Sequence, residues 1–326
     1  MPTFLHGKKI VALAGGVGGS RLIRGIAEHL TAEQLTVIVN TGDDFEHLGF
    51  NISPDIDTVL YNLADLAQPK QGWGIRDDSF HCMTALKKLG EDTWFQLGDK
   101  DLATHILRTQ WTKAGVSLTE ITARLARKLG VQHPVLPMSD QPFRTMIETD
   151  TGTLDFQTYF VKHRWQPVIK RLFWQGAESA QPTPQVLEAI ASCDLVVICP
   201  SNPFVSIDPI LNLPGVRKQM QTKPILAMSP IIGGMAVKGP AAKMFHEIAN
   251  VDASVEAVTN HYSNLINGIV IDEVDEALLP MLRERLNFAA AMPTLMLNRE
   301  KQIEIGAAFL SAAEDFLKLS EKINRE

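Results

Sequence analysis

Apolar positions along the chain fall into short β-rich runs that alternate with helix-spaced segments. Residues 9–14 (KIVALA) form a compact apolar run that ends at glycines. Beyond it, Leu22, Ile26 and Leu30 recur at helical spacing across residues 20–30, and Leu35–Val39 (LTVIV) is a second β-rich run. Strand, glycine turn, helix and strand in that order predict a βαβ unit opening a parallel sheet. Further buried strands are predicted at residues 135–138, 194–199 and 223–228, with a fainter pattern at Gly268–Asp272. Residues 154–161 alternate in part and predict an antiparallel strand.

The middle of the chain has a different period. Residues 59–66, 79–89, 102–115 and 118–129 read as helices, and Glu120 stands at capping-box spacing from Ser117. Residues 301–322 carry an amphipathic helical pattern. The predicted fold class is α/β: a Rossmann-like, mostly parallel sheet built from residues 1–60 and 134–326, with 61–133 as a mostly helical insertion.

Charge narrows the partners. With 31 Lys plus Arg against 37 Asp plus Glu, the net charge of −6 gives no global attraction to nucleic acid or anionic lipid. The longest low-charge apolar stretch, residues 225–237, is broken by Pro230, Gly233 and Gly234, whereas a membrane-spanning helix needs about 20 apolar residues. Cys82, Cys193 and Cys199 are an odd number without metal-site spacing, and Cys193 and Cys199 read as buried free thiols. A reduced, cytoplasmic setting without a targeting segment is the expectation.

Chemistry is concentrated in loops that follow strands. Gly15, Gly16, Gly18 and Gly19 lie between the first strand and its helix, where backbone N–H groups can meet a phosphate. The loop lacks the Lys of a Walker motif and the spacing of a dinucleotide fingerprint; a tight turn needing positive φ is its structural alternative. After the second strand, Asp43 and Asp44 offer adjacent carboxylates for Mg²⁺, or else an Asx turn and helix cap. In Ser53-Pro54-Asp55-Ile56-Asp57, Asp57 is the candidate functional acid and Asp55 a possible helix cap. Asp99 and Asp101 mark a solvated turn or a helix start. Ser201 and Asn202 follow the most apolar strand, and Ser229 and Lys238 flank a second glycine pair suited to a diphosphate. His105 and His261 read as structural, and Trp73, Trp94 and Trp111 as packing residues, any one of which can stack on a flat ligand. Several such loops in one chain predict a single large polar cleft.

Eight blocks, in order, resemble the 2-phospho-L-lactate transferase (CofD) family of deazaflavin coenzyme F-420 biosynthesis. They are LAGGVGGSRL from Leu13, VNTGDD from Val39, SPDIDTVLYNLAD from Ser53, LGDKDLATHILRT from Leu97, VLPMSDQP from Val135, FQTYFV from Phe156, CPSNPFVSIDPIL from Cys199 and SPIIGGMAVKGPAAKM from Ser229. The resemblance implies a Mg²⁺-dependent transferase with a Rossmann-like fold and a helical insertion. It implies that a phospho-three-carbon acid (phospholactate, phosphoenolpyruvate or phosphoglycerate) moves from a guanosine diphosphate-linked donor to the ribityl hydroxyl of the deazaflavin Fo, releasing GMP. It places nucleotide binding at Gly15, Gly16, Gly18 and Gly19, the acidic turn at Asp43 and Asp44, and deazaflavin contacts at Asp57 and near Gln96. Gln96 departs from the basic residue of archaeal members, and Gln141 stands where an acid is common. A homodimer is the family expectation. The alternative is a YvcK-like regulatory protein that binds nucleotide sugars without catalysis; such proteins share the glycine loop and the S-N-P block, while the SPDIDT and LGDKDLATH blocks favour the transferase.

Overall fold

The computed structural model describes residues 4–237 and 239–323. Seven strands build the central sheet: β1 (Ile10–Ala14), β2 (Leu35–Val39), β3 (Val135–Pro137), β4 (Leu195–Ile198), β5 (Ile225–Met228), β6 (Gly268–Asp272) and β7 (Phe288–Met292). Their spatial order is β7-β6-β5-β4-β1-β2-β3, and every neighbouring pair is parallel. The chain leaves β1 toward β2 and β3 on one side and returns to β4 on the other. That reversal opens a crevice at the carboxyl ends of β1 and β4, the place where open α/β sheets bind ligands.

Both faces of the sheet are covered, which is why its strands are apolar throughout rather than alternating. Val11, Leu13, Val196 and Ile198 point into one core, and Ile10, Ala12, Ala14, Val37 and Val197 into the other. On the second face lie α1 (Gly16–Ala27), α2 (Pro54–Leu63) and the carboxyl-terminal helix Arg299–Ile323. Three more helices follow: α3 (His81–Lys88), α4 (Asp99–Lys113) and α5 (Leu118–Lys128). Ile121, Leu125 and Ala126 of α5 join the same core as α1, whereas Met83, Leu97 and Leu102 gather with Ile52 in a small separate cluster. The Glu120 N–H donates to Ser117 Oγ at 3.3 Å, so Ser117 caps α5 as its spacing predicts.

One local expectation fails, and one strand has no counterpart in the sequence pattern. The strand predicted at 154–161 stops at Asp155, pairing as Gly152–Asp155 with Arg144–Thr149, which in turn pairs with Ile169–Gln175. Asp155 then ends the strand by accepting from the Thr158 N–H at 2.9 Å and the Thr158 hydroxyl at 2.6 Å, and Thr158–Lys162 coils into a π-helical turn. β7 has no strand signature of its own: FAAAM lacks β-branched residues, and pairing with β6 decides its conformation. Cys193 and Cys199 are buried free thiols, both pushed up by burial, Cys193 to about 11. Among the described residues no helix is long and apolar enough to cross a membrane.

Candidate active site

A cleft of about 580 Å³ opens at the carboxyl ends of the central strands, between the sheet and the segment that carries α3 and α4. Gly15, Gly16 and Gly18 form its floor together with Ser201, Asn202 and Ser229. Gly16 begins α1 at φ 63°, a backbone state that glycine adopts without strain. Gly18 lies so close to the next loop that a Cβ would stand 2.2 Å from the Pro200 carbonyl oxygen. The Gly15 N–H donates to Ser201 Oγ at 3.2 Å, and the Ser201 hydroxyl donates back to the Gly15 carbonyl at 2.8 Å. Gly19 does not line the cleft; it packs beneath, against Ser201 and Ala14. Asn202 Oδ1 accepts the Phe204 N–H, and the Ser229 hydroxyl donates to the Ile231 carbonyl, so both side chains also shape their own turns. Lys238 lies outside the described residues.

The Gly16 amide is not open to a ligand. It donates to Asp55 Oδ1 at 2.7 Å, while Asn40 Nδ2 donates to Asp55 Oδ2 at 2.9 Å. Amides at Val17 and Gly18, in the first turn of α1, remain without a carbonyl four residues back in the helix. Asp55 is therefore not a helix cap but a brace between the glycine loop and the second strand's loop. Burial pushes its carboxyl up to about 6.

Asp43 lines the cleft beside it. Burial first, and the neighbouring Asp55 second, hold the Asp43 carboxyl well above the usual range. Asp44 does not line the cleft; it accepts from the Ser53 hydroxyl at 2.8 Å, and burial raises it to about 7. Asp43 Oδ1 and Asp44 Oδ1 are both buried without a hydrogen-bond partner. Hard, desolvated oxygen donors with unused lone pairs fit a divalent cation that takes one or two carboxylates and completes its shell with water and substrate phosphate. Among the described residues there is no group of three or more His, Cys, Asp or Glu that would hold a metal by protein ligands alone.

Asp57 occupies another part of the same cleft, paired with Arg108 of α4. Arg108 Nη1 donates to Asp57 Oδ2 at 3.0 Å, and Nη2 donates to Oδ1. Arg108 Nη1 lies 3.2 Å from His105 Nδ1; a guanidinium only donates, so Nδ1 accepts and the ring proton belongs on Nε2. That nitrogen faces Asp101 Oδ2 at 3.2 Å, and the Tyr61 hydroxyl donates to Asp101 Oδ1 at 2.6 Å. Neither Arg108 nor a role for Asp101 is among the site residues expected from the sequence. The signal was present: Asp101, His105 and Arg108 are four and three residues apart, which puts them on one face of α4.

Gln96 lines the cleft, its Nε2 donating to the Thr93 carbonyl at 2.5 Å. Trp73 and Trp94 line it as well, with Phe156 and Phe160 stacked nearly parallel at 5.4 Å. Trp111 lies elsewhere, beneath the Arg124 guanidinium. His261 contacts Asp208 at 3.0 Å and packs edge-on against Phe204, a structural placement.

A parallel sheet in the order 3-2-1-4-5-6-7, a glycine loop at its switch point and buried acids across one cleft define a Rossmann-like enzyme that handles phosphate. Residues 10–304 match the family model described as 2-phospho-L-lactate transferase CofD. The chain belongs to that family. It is 38% identical over 304 residues to a 2-phospho-L-lactate transferase of Methanosarcina mazei, covering 93% of this chain and 100% of the relative. It is 38% identical over 315 residues to a phosphoenolpyruvate transferase of Kitasatospora aureofaciens, covering 94% and 98%. A solved structure of a UPF0052 family member from Bacillus halodurans shares the fold, with a TM-score of 0.58 at 16% identity over 93% of this chain and 98% of that one.

Proposed function

We propose that this transferase moves a phospho-three-carbon-acid group from a guanosine diphosphate-linked donor to the ribityl hydroxyl of the deazaflavin Fo, in coenzyme F-420 biosynthesis. The observation that carries the reading is the arrangement of one cleft: the glycine loop and the Asp43–Asp55 pair on its floor, the Asp57–Arg108 pair in the same cavity, and aromatic rings around it.

Each part has a physical task. The free amides of the first turn of α1 receive the donor phosphates, aided by the helix dipole. Asp43, with Asp44 behind it, would hold Mg²⁺, which would neutralise charge on the diphosphate. Rings such as Trp73 and Trp94 offer faces to a flat deazaflavin. Asp57 accepts a hydrogen bond from the ribityl hydroxyl and aims its oxygen at the phosphorus that carries the acid. A new P–O bond forms there, the bond to GMP breaks, and the hydroxyl proton is released. Arg108 engages both Asp57 oxygens and so fixes the direction in which Asp57 orients the hydroxyl. Positioning and charge neutralisation then supply the catalysis, as is general for phosphoryl transfer.

The test is mass spectrometry of products after mixing the protein with Fo, Mg²⁺ and, in turn, the guanylyl-linked phospholactate, phosphoenolpyruvate and phosphoglycerate donors. A deazaflavin phosphodiester and GMP are expected with at least one donor. GMP release without an Fo adduct, or no reaction with any of them, rejects the reading.

A further inference from the structure

Among the described residues, the one cationic side chain that lines the cleft by itself has no counter-charge. Arg21 stands on α1, three residues past Gly18, and lines the cleft at 7% exposure. Its Nη2 donates to the Pro69 carbonyl at 3.2 Å, while its Nε is buried with no partner. Among the described residues no carboxylate lies within ion-pair distance of it. The other two buried arginines are paired: Arg24 with Asp65 and Glu28, Arg108 with Asp57. Burial lowers the Arg21 pKa with nothing to offset it, yet a guanidinium starting so high stays charged. A desolvated, unpaired cation is costly to a fold, so its anion is supplied from outside the chain.

We propose that Arg21 binds the carboxylate of the three-carbon acid carried by the donor, an inference that rests on the transferase reading. Three observations select that anion. On the transferase reading the phosphate groups would take the first-turn amides and the cation that Asp43 would hold, whereas Arg21 is the one lysine or arginine among the described residues lining the cleft. Its position is suitable: Arg21 is about 4.5 Å further along the helix axis than Gly18, and helical side chains lean back toward the N-terminus. The fork therefore reaches the region just beyond a phosphate seated at the glycine loop, where a short tether places the acid. Finally, the loop of residues 68–74 roofs the guanidinium. Gly72, at φ 80°, comes so near that a Cβ would be 3.3 Å from Nε and Nη2, so this edge is covered by the chain, while the residue also lines the cleft. A planar fork suits a carboxylate bidentately, and all three candidate acids carry one. Arg21 thus recognises the class of acid without choosing among its members.

GDP is the donor without its acid, so a pair of titrations isolates this contact. Calorimetry of the Mg²⁺-loaded protein without Fo compares GDP with guanylyl-linked phospholactate for the wild type, Arg21→Gln and Arg21→Lys. In Arg21→Gln the donor affinity is expected to fall about 10- to 100-fold, the scale of a charged hydrogen-bonded pair, with GDP affinity unchanged as the control for folding. Arg21→Lys, which keeps charge but not the fork, is expected to fall between. Equal losses for GDP and donor would put Arg21 on the diphosphate and overturn the proposal. Unchanged donor affinity with a raised KM for Fo would put it on the acceptor and overturn the proposal equally. A wild type that binds donor better than GDP but makes no Fo adduct would fail the transferase reading alone.

Discussion

Asp55 accepts the Gly16 N–H at 2.7 Å, joining the starts of α1 and α2 across 39 residues of chain. The carboxylate occupies the place at the start of α1 where an anion would sit, so the outermost amide of the glycine loop is held by the protein itself. The loop is thereby pre-shaped before any ligand arrives, and the amides one and two residues further in are the ones left for a phosphate. Asp55→Ala is expected to weaken GDP binding about 10-fold by releasing the loop, on the scale of a charged hydrogen bond. Asp55→Asn, which keeps an acceptor, is expected to lose less. Calorimetric titration with GDP checks both; equal affinity in all three proteins would show that the brace does not organise the loop.

Asp57 and Arg108 form a buried pair whose partners answer different assays. Asp57→Asn is expected to lower transfer to Fo by about 10²-fold, the usual scale for a positioned polar group, and to leave GDP affinity intact. It also strands Arg108, so urea denaturation is expected to show a loss of about 3–5 kcal/mol. Adding Arg108→Met to Asp57→Asn removes the stranded charge and is expected to recover stability but not turnover. Recovery of both would make the pair structural.

The raised carboxyls set a pH dependence. Asp44 at about 7 and Asp55 at about 6 both lie above an unfolded Asp near about 4. The folded state therefore binds these protons more tightly. Their stabilising contribution is complete below about pH 4 and is lost as pH rises through 6 and 7. Metal-free protein is expected to have a lower Tm at pH 8 than at pH 5.5, with Asp44→Asn flattening the slope. Mg²⁺ is expected to raise Tm more at pH 8, because a cation competes with protons for the same oxygens. A metal-free Tm that climbs across this window would contradict the assignment.

Gly18→Ala probes the contact between loops. Its methyl would meet the Pro200 carbonyl at 2.2 Å, and a backbone oxygen has little room to move. A destabilisation of about 1–3 kcal/mol is expected from such overpacking, together with weaker GDP binding as the loop and the Pro200–Ser201 turn separate. Thermal melts alongside GDP titration test this. A variant with native Tm and native affinity would mean that the loops yield without cost.

Local pattern determined a large part of this molecule. Period and punctuation place β1, β2, the apolar runs of β4 and β5, and the helices around 81–128, since a strand buried on both faces and an amphipathic helix each write their environment into neighbouring residues. The Ser117 cap and the glycine loop are legible for the same reason: their chemistry is complete within a few positions. The strand β7 and the π-helical turn at Thr158–Lys162 were not legible, because a partner strand and the Asp155 side chain impose them. Within the site, the sequence marked Asp43, Asp57 and the loop glycines as candidates but could not rank Asp55 above a helix cap. Its partners, Gly16 and Asn40, are 39 and 15 residues away. Nor could it pair Arg108 with Asp57 across 51 residues, or leave Arg21 without a carboxylate. Which charges meet, and which stay unmatched, depends on distances between elements far apart in the chain, and only packing of the helices against the sheet decides those distances.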